Sequence, residues 1–260
     1  MSKGSVYKYR IAIVVLLFII ILEGVFIITT RPKRAPRVPA VIKGRIAIVI
    51  DDWGYNLNNL PIAEQIKYPL TAAVLPNLTY SRIISEELHK RGFQIILHLP
   101  LEPREKYRLE RNTIMVSLDD ITIRNIIEQD LSDIFYARGV SGHMGSRATE
   151  DPAIMGTIFK DLKRRGLYFL DSVVSPKSIC RDLARRAGLG FVKRDVFLDN
   201  KEDTAYIMGQ LYKLRLQAKL KGYAVGIGHD RKTTLEVLKE AMPQIEKEGY
   251  KFVFVSDLVR

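Results

Sequence analysis

From Gly44 onward the chain alternates between short apolar runs and longer amphipathic stretches, and this alternation restricts the fold more than any other feature. The apolar runs have the length and composition of strands. The predicted strands cover residues 45–51, 71–75, 93–98, 139–143, 167–171, 190–197, 223–228 and 252–255. The predicted helices cover residues 79–91, 120–138, 151–165, 203–221 and 232–248. Such alternation is typical of βα units that form a largely parallel sheet with the helices outside it.

The number of these units indicates how the sheet is arranged. About seven or eight βα units are enough to close a barrel, so we predict an α/β fold of the barrel type. Residues 99–119 show no regular period and are predicted to form a long loop. Loops of this length beside the ends of strands are often functional.

The first 43 residues differ from the rest of the chain in composition. The stretch from Ile11 to Ile28 is apolar and is interrupted only by Glu23 and Gly24. About 18–20 apolar residues are enough to span a bilayer, so we predict an uncleaved transmembrane anchor, with a cleaved signal peptide as the alternative. The predicted basic tail, anchor, basic proline-rich linker and catalytic domain cover residues 1–10, 11–30, 31–43 and 44–260.

The net charge of +12 is concentrated at the N-terminus. Residues 1–43 hold eight basic residues and one acid, which leaves 33 basic and 28 acidic residues in the predicted domain. No basic stripe with interleaved aromatic residues occurs in the domain, so we expect no nucleic-acid partner. The single cysteine, Cys180, cannot form an internal disulfide and is compatible with either side of a membrane.

Five polar residues stand at the ends of predicted strands: Asp51, Asp52, His98, His143 and His229. The carboxyl ends of parallel strands meet at one edge of a sheet, where ligands and catalytic groups gather. Carboxylate and imidazole groups are good ligands for zinc and similar divalent ions. The pattern therefore indicates a hydrolytic metal site. The alternatives are that the Asp pair forms a turn or helix cap and that each histidine is a hydrogen-bonded core residue.

Weaker candidates flank these residues. Glu102 follows His98 by four positions and is either a further ligand or an orienting partner. Asp171 ends another predicted strand and is a candidate support for the ligands. Trp53 either stacks on a sugar ring or covers the barrel mouth. Ser146 and Arg147 follow His143 in a glycine-flanked segment and are predicted substrate contacts.

Taken together, the segments around these candidates resemble the divergent polysaccharide deacetylase family, a relative of the NodB-type carbohydrate esterases. The matching segments are Ile50-Asp51-Asp52, His98-Leu99-Pro100-Leu101-Glu102-Pro103, Gly142-His143-Met144-Gly145-Ser146-Arg147, Phe169-Leu170-Asp171-Ser172, Arg194-Asp195-Val196-Phe197-Leu198-Asp199 and Gly226-Ile227-Gly228-His229. The resemblance implies a distorted (β/α) barrel of seven or eight units and export from the cytoplasm.

The resemblance also implies roles for individual residues. Asp51 corresponds to the catalytic base and His229 to the general acid, while Asp52 and His98 correspond to metal ligands. NodB enzymes have a second histidine four residues after the first, where this chain has Glu102. His143 is therefore the preferred third ligand, with Glu102 as its rival. The expected metal is Zn²⁺.

The function implied by the resemblance is a metal-dependent hydrolase that removes N- or O-linked acetyl groups from a cell-envelope polysaccharide. We expect a single-pass protein of the bacterial inner membrane with its catalytic domain on the extracytoplasmic side. Two alternatives stay open. One is a catalytically silent glycan-binding or scaffold protein, and the other is a metallohydrolase that acts on a different bond.

Overall fold

The computed structural model describes residues 3–30 and 42–260. The chain divides into two compact units, one over residues 1–40 and one over residues 41–260. In the first unit, helix α1 (Lys3–Thr30) covers the predicted anchor. Within the described ranges no helix is long and apolar enough to cross a membrane, so the transmembrane prediction is not supported. Most of the predicted linker, residues 31–41, lies outside the described residues.

The second unit contains one parallel sheet of nine strands. The strands are β1 (Gly44–Trp53), β2 (Thr71–Val74), β3 (Gln94–Leu101), β4 (Gly139–Met144), β5 (Tyr168–Asp171), β6 (Phe191–Lys193), β7 (Val196–Phe197), β8 (Tyr223–His229) and β9 (Tyr250–Val253). Their order is β6-β5-β4-β3-β2-β1-β8-β7, and β9 pairs with β1 beside that path. Strand β1 is therefore central, with β2, β8 and β9 bonded to it.

The helices of the second unit are α2 (Leu60–Ala63), α3 (Ser81–Lys90), α4 (Asp120–Asp133), α5 (Pro152–Arg164), α6 (Cys180–Ala187), α7 (Thr204–Lys221) and α8 (Lys232–Lys247). The five predicted helices are confirmed, although α4 ends earlier than the predicted residue 138. Helix α5 begins as predicted, because Pro152 follows Asp151, whose carboxylate accepts hydrogen bonds from the backbone N–H groups of Ala153 and Ile154. Helices α2 and α6 were not predicted, since they are too short to show a clear apolar period.

The predicted α/β barrel is confirmed in part: the strands are parallel as expected, but the sheet is a half-barrel. In the described part of the chain, β6 and β7 lie at the two ends of the strand order and do not pair with each other. The single strand predicted over 190–197 is split by Arg194 and Asp195. The Arg194 N–H bonds to the carbonyl of Asp171 on β5, and the Asp195 N–H bonds to the carbonyl of Val225 on β8. The chain thus crosses from one edge of the sheet to the other within these two residues.

The two faces of the sheet pack into different cores. On β1, Ile46, Ile48 and Ile50 belong to the large core that also contains the buried faces of the helices, whereas Ala47 and Val49 belong to a smaller core on the opposite face. Alternate residues of a strand point to opposite faces, which explains this separation. We call the Ala47–Val49 side the inner face. Polar residues that continue it at the carboxyl ends of the strands are placed to form a site.

Candidate metal centre

Three of the predicted site residues lie on the inner face because of strand alternation. Asp51 follows Val49 by two residues, His98 follows Ile96, and His229 follows Ile227, and all three apolar residues belong to the inner core. The register of β1 against β8 sets Asp51 directly opposite His229. The register of β3 against β4 sets His98 opposite Ser141, two residues before His143. The sheet therefore brings all of the predicted histidines to one edge.

Asp52 reaches the same site through a backbone irregularity. In a regular strand its side chain would point away from that of Asp51. Instead, the β1–β2 register shifts between Ile50 and Trp53, and Asp52 adopts a φ of +65°. A left-handed conformation costs a residue with a Cβ about 1–2 kcal/mol, and such strain tends to occur at functional sites. The irregularity is what lets two adjacent carboxylates serve one centre.

Asp52, His98 and His143 form the cluster that can hold a cation. Each offers one ligand atom, and these atoms all lie within 4.8 Å of one another. The Asp52 Oδ1 atom lies 3.2 Å from His98 Nε2 and 3.0 Å from His143 Nδ1. The Asp52 side chain is 31% exposed and that of His143 is 12% exposed, whereas His98 is buried. Solvent and substrate therefore have access from the Asp52 side.

Two buried polar atoms without hydrogen bonds, one in the cluster and one beside it, support a cation site. His143 Nε2 and Asp51 Oδ1 are buried and have no hydrogen-bond partner among the described residues. Such atoms are uncommon in folded proteins, and a bound cation or its water would satisfy them. His98 Nδ1 lies 2.8 Å from Ser141 Oγ, which fixes the ring in the way that metal-binding histidines are usually held. These donors fit a divalent ion such as zinc.

The two adjacent carboxylates differ in their electrostatics. Burial opposes ionisation of Asp52, but hydrogen bonds from His143 and His98 outweigh it and hold the pKa of Asp52 far below its usual range. Burial raises the pKa of Asp51, and the charge of His98 only partly offsets this effect. Asp52 thus remains an anion suited to bind a cation. Asp51 is the more basic of the pair.

His229 has a carboxylate partner of its own. Its Nδ1 atom lies 2.8 Å from Asp199 Oδ1, and its backbone N–H donates to Asp199 Oδ2 at 2.8 Å. Thr234 Oγ1 also donates to Oδ2, and Asp199 is completely buried. Burial lowers the pKa of His229, but the hydrogen bond and charge of Asp199 outweigh that effect and raise it. Asp199 received no role from the sequence, although it too follows an apolar run, Val196-Phe197-Leu198.

Glu102 lies outside the ligand cluster, which favours its alternative interpretation as an orienting residue. Its carboxylate is already bonded, with Oε1 accepting from Arg147 Nη1 at 2.7 Å and Oε2 from the Val116 backbone N–H at 2.5 Å. Arg147 is held by this ion pair, and Ser146 accepts from the Arg104 backbone N–H. These contacts make Glu102 the link between the loop after β3 and the segment after His143.

Trp53 and Asp171 are both buried and lie outside the ligand cluster. Trp53 is completely buried in the large core, so its ring is not exposed to stack on a sugar. Asp171 is buried, with its carboxylate accepting from the Val173 backbone N–H and from Ser178 Oγ. It lies outside the ligand cluster and fixes the turn after β5.

The sequence model of the divergent polysaccharide deacetylase family matches residues 48–259. The chain belongs to this family. The matched range contains every residue of the ligand cluster, together with Asp51 and the Asp199–His229 pair. The family resemblance inferred from the sequence segments is thereby confirmed.

A curated relative from Escherichia coli supports the family assignment. The chain is 34% identical over 200 residues to the uncharacterized protein YibQ of Escherichia coli (strain K12). The aligned part covers 77% of this chain and 63% of YibQ. The chain therefore spans less than two thirds of the length of that relative.

Several solved structures share the fold. The uncharacterized protein ATU2773 from Agrobacterium tumefaciens C58 gives a TM-score of 0.79 at 22% identity, over 83% of this chain and 89% of that one. The catalytic domain of a peptidoglycan N-acetylglucosamine deacetylase from Eubacterium rectale gives 0.52 at 18%, over 81% and 88%. BA3943, a CE4 family pseudoenzyme from Bacillus anthracis, gives 0.52 at 12%, over 84% and 66%. The same fold thus occurs in the catalytic domain of a deacetylase and in a pseudoenzyme.

Proposed function

We propose that this protein is a metal-dependent hydrolase that removes acetyl groups from a cell-envelope polysaccharide. The observation that carries the proposal is the cluster of Asp52, His98 and His143, with Asp51 beside it and His229 paired to β1 at the same sheet edge. A structural metal site would not need an additional, more basic carboxylate and a histidine held by its own buried acid. Zn²⁺ is the expected ion, because imidazole and carboxylate donors suit it.

The cation would be held by Asp52, His98 and His143. When bound, it supplies Lewis acidity, which polarises the acetyl carbonyl and lowers the pKa of a water molecule. The remaining chemistry belongs to the side chains of this chain.

Asp51 is the proposed general base. It takes a proton from the attacking water as the water oxygen bonds to the acetyl carbon. Its buried position raises its pKa and so strengthens it as a base, while its neighbour Asp52 remains ionised. The Oδ2 atom of Asp51 lies 3.8 Å from His98 Nε2, so base and ligand are adjacent without sharing a short bond.

His229 is the proposed general acid. Asp199 raises its pKa, so the imidazolium form persists to higher pH than for a free histidine. The Asp199 contact to Nδ1 leaves Nε2 to deliver the proton. That proton goes to the amine or alcohol that leaves as its bond to the acetyl carbon breaks. His229 is 24% exposed at the side chain, which gives a substrate access to it.

The location of the protein is a further part of the proposal. Family membership favours a glycan of the cell envelope as substrate, and we propose that the domain acts on the extracytoplasmic side of the bacterial inner membrane. Protease accessibility of the domain in spheroplasts tests this directly. Protection of the domain in intact spheroplasts, with digestion only after lysis, would contradict it.

Acetate release by the full chain tests the proposed activity. We expect release from at least one acetylated glycan in a set that includes peptidoglycan fragments, chito-oligosaccharides and acetylated xylan. Asp51→Asn and His229→Ala should each lower the rate by about 10²–10⁴-fold. The matched control is His89→Ala, which changes the remaining histidine, stacked on Tyr136 and away from the cluster.

Two other outcomes would replace the proposal. Glycan binding without acetate release, unaffected by Asp51→Asn, would identify a silent binding protein. Hydrolysis of a phosphoester or peptide, with no acetate released from any glycan, would identify a metallohydrolase of another class.

A further inference from the structure

The loop between β3 and α4 is fastened to both sides of the metal centre. On one side, Glu102 bonds to Arg147, which lies four residues after His143. On the other side, the hydroxyl of Tyr55, three residues after Asp52, donates to Glu110 Oε1 at 2.5 Å. The loop therefore lies along the edge of the site between the ends of β1 and β4.

The acidic residues of this loop are all engaged by neighbouring groups. Glu102 is bonded to Arg147 and the Val116 N–H, and Glu110 is bonded to Tyr55. Glu105 Oε2 accepts from Ser146 Oγ at 3.0 Å. The negative charges of the loop are thus directed to groups that hold it in place.

Three cations of the same loop have no such partner. Lys106, Arg108 and Arg111 are exposed, and none forms an ion pair in the described part of the chain. We call these three the rim cations. Arg104, by contrast, is paired with Glu150. Tyr107, between two rim cations, is 61% exposed, so an aromatic ring stands among uncompensated positive charges.

One rim cation, Arg108, lies close enough to Tyr55 to act on its hydroxyl, which bonds to Glu110 of the same loop. Burial and the bond to Glu110 raise the pKa of the Tyr55 hydroxyl. The charge of Asp52 raises it further, and the charge of Arg108 opposes this effect. The charges of the proposed ligand Asp52 and of the rim cation Arg108 therefore both affect the Tyr55 hydroxyl.

We propose that the rim cations and Tyr107 form a subsite for an acidic glycan, so that the enzyme prefers a polysaccharide carrying carboxylate groups near the acetylated sugar. This inference rests on the proposed function. The positive charges attract the carboxylates of the substrate, and the exposed ring packs against a sugar face. A merely solvated charged loop would show no such preference.

A pair of acetylated oligosaccharides of matched length tests the subsite. One is an acetylated oligogalacturonide, which is acidic, and the other is an acetylated xylo-oligosaccharide, which is neutral. Arg108→Gln/Arg111→Gln should raise KM for the acidic substrate by about three- to tenfold, since each exposed charge contact is worth up to about 1 kcal/mol. The kcat for both substrates, and the KM for the neutral one, should stay within about twofold.

The matched control is Lys213→Gln/Lys219→Gln. It removes the same charge from exposed positions of α7 that form no ion pair in the described residues. It should leave both KM values unchanged. Added salt should weaken the preference of the wild type for the acidic substrate and have little effect on the rim variant.

Two results would overturn the inference. One is equal kcat/KM for the two substrates in the wild type, and the other is an equal effect of the rim and control variants. If no substrate releases acetate, the proposed function fails instead. Affinity electrophoresis in gels containing polygalacturonate then decides the subsite separately: stronger retardation of the control than of the rim variant supports it, and equal retardation refutes it.

Discussion

The ligand cluster and the Asp199–His229 pair both combine histidine with aspartate, yet their geometries differ. In the cluster, one partly exposed carboxylate, Asp52, is shared by His98 and His143. In the pair, the fully buried carboxylate of Asp199 bonds to a single imidazole, that of His229, and accepts a further hydrogen bond from Thr234. In the cluster, a nitrogen of each histidine and the Asp52 oxygen lie close enough together to bind one cation. In the pair, both oxygens of Asp199 are already hydrogen-bonded.

Under the proposed function, this difference separates cation binding from proton transfer at one sheet edge. When both imidazoles are neutral, as metal ligands must be, the shared carboxylate keeps a negative charge that a divalent cation can balance. A carboxylate bonded to one imidazole fixes its ring and raises its pKa, which suits a proton donor. Changes to the two regions should therefore have separable effects, which the following predictions test.

His143→Ala should have the largest effect, and it should fall on cation binding. Loss of one of three protein ligands is expected to reduce affinity for Zn²⁺ by more than about 100-fold, since even residues that only support a ligand contribute 10–100-fold. Competition with a fluorescent chelator measures this affinity. His229→Ala should bind Zn²⁺ like the wild type. Equal losses in the two variants would contradict the division.

Asp199→Asn should affect proton transfer and leave cation binding intact. His229 acts while protonated, so activity declines as the pH rises through its pKa, which Asp199 raises. Removing the negative charge lowers that pKa, so the alkaline decline should begin at lower pH. We also expect kcat to fall about 100-fold. A pH profile of kcat checks both effects, and an unchanged alkaline limb would refute the role of the pair.

Ser141→Ala should weaken cation binding moderately. Ser141 Oγ lies 2.8 Å from His98 Nδ1 and orients the ring, and loss of such supports typically costs about tenfold or more in metal affinity. The same chelator assay measures the change. Ser141→Thr keeps the hydroxyl and should restore most of the affinity, whereas a merely steric role for Ser141 would make the threonine variant the worse of the two.

Thr234→Val should have the smallest effect, opposite in sign to that of Asp199→Asn. The hydroxyl of Thr234 donates to Asp199 Oδ2 at 2.7 Å and so disperses its charge. Without this bond, Asp199 should hold the proton of His229 more tightly. The alkaline limb should then move to higher pH, by less than about one unit. A shift to lower pH would mean that Thr234 acts on His229 by another route.

The sequence predicted what local pattern determines. Apolar runs located the strands, and polar residues at their ends located Asp51, Asp52, His98, His143 and His229. The resemblance to the family supplied proposed roles for these residues, which remain predictions. The sequence pattern does not give the register between distant strands. The contacts that were not predicted depend on that register.

Particular residues illustrate this limit. Asp199 meets His229 because β7 pairs with β8, a contact across 30 positions of sequence. The family resemblance placed Glu102 at a candidate ligand position, but its carboxylate bonds to Arg147 and to the Val116 N–H, which only the folded loops bring near. The extent of barrel closure could not be predicted for the same reason, since it depends on whether the two edge strands pair.

Anomalous diffraction from crystals of this protein grown with Zn²⁺ tests the central claim most directly. The account predicts a strong zinc peak bound by Asp52, His98 and His143, with Asp51 beside it and His229 still bonded to Asp199. Absence of a peak at the cluster at saturating Zn²⁺, or a peak that displaces Asp199 from His229, would contradict it.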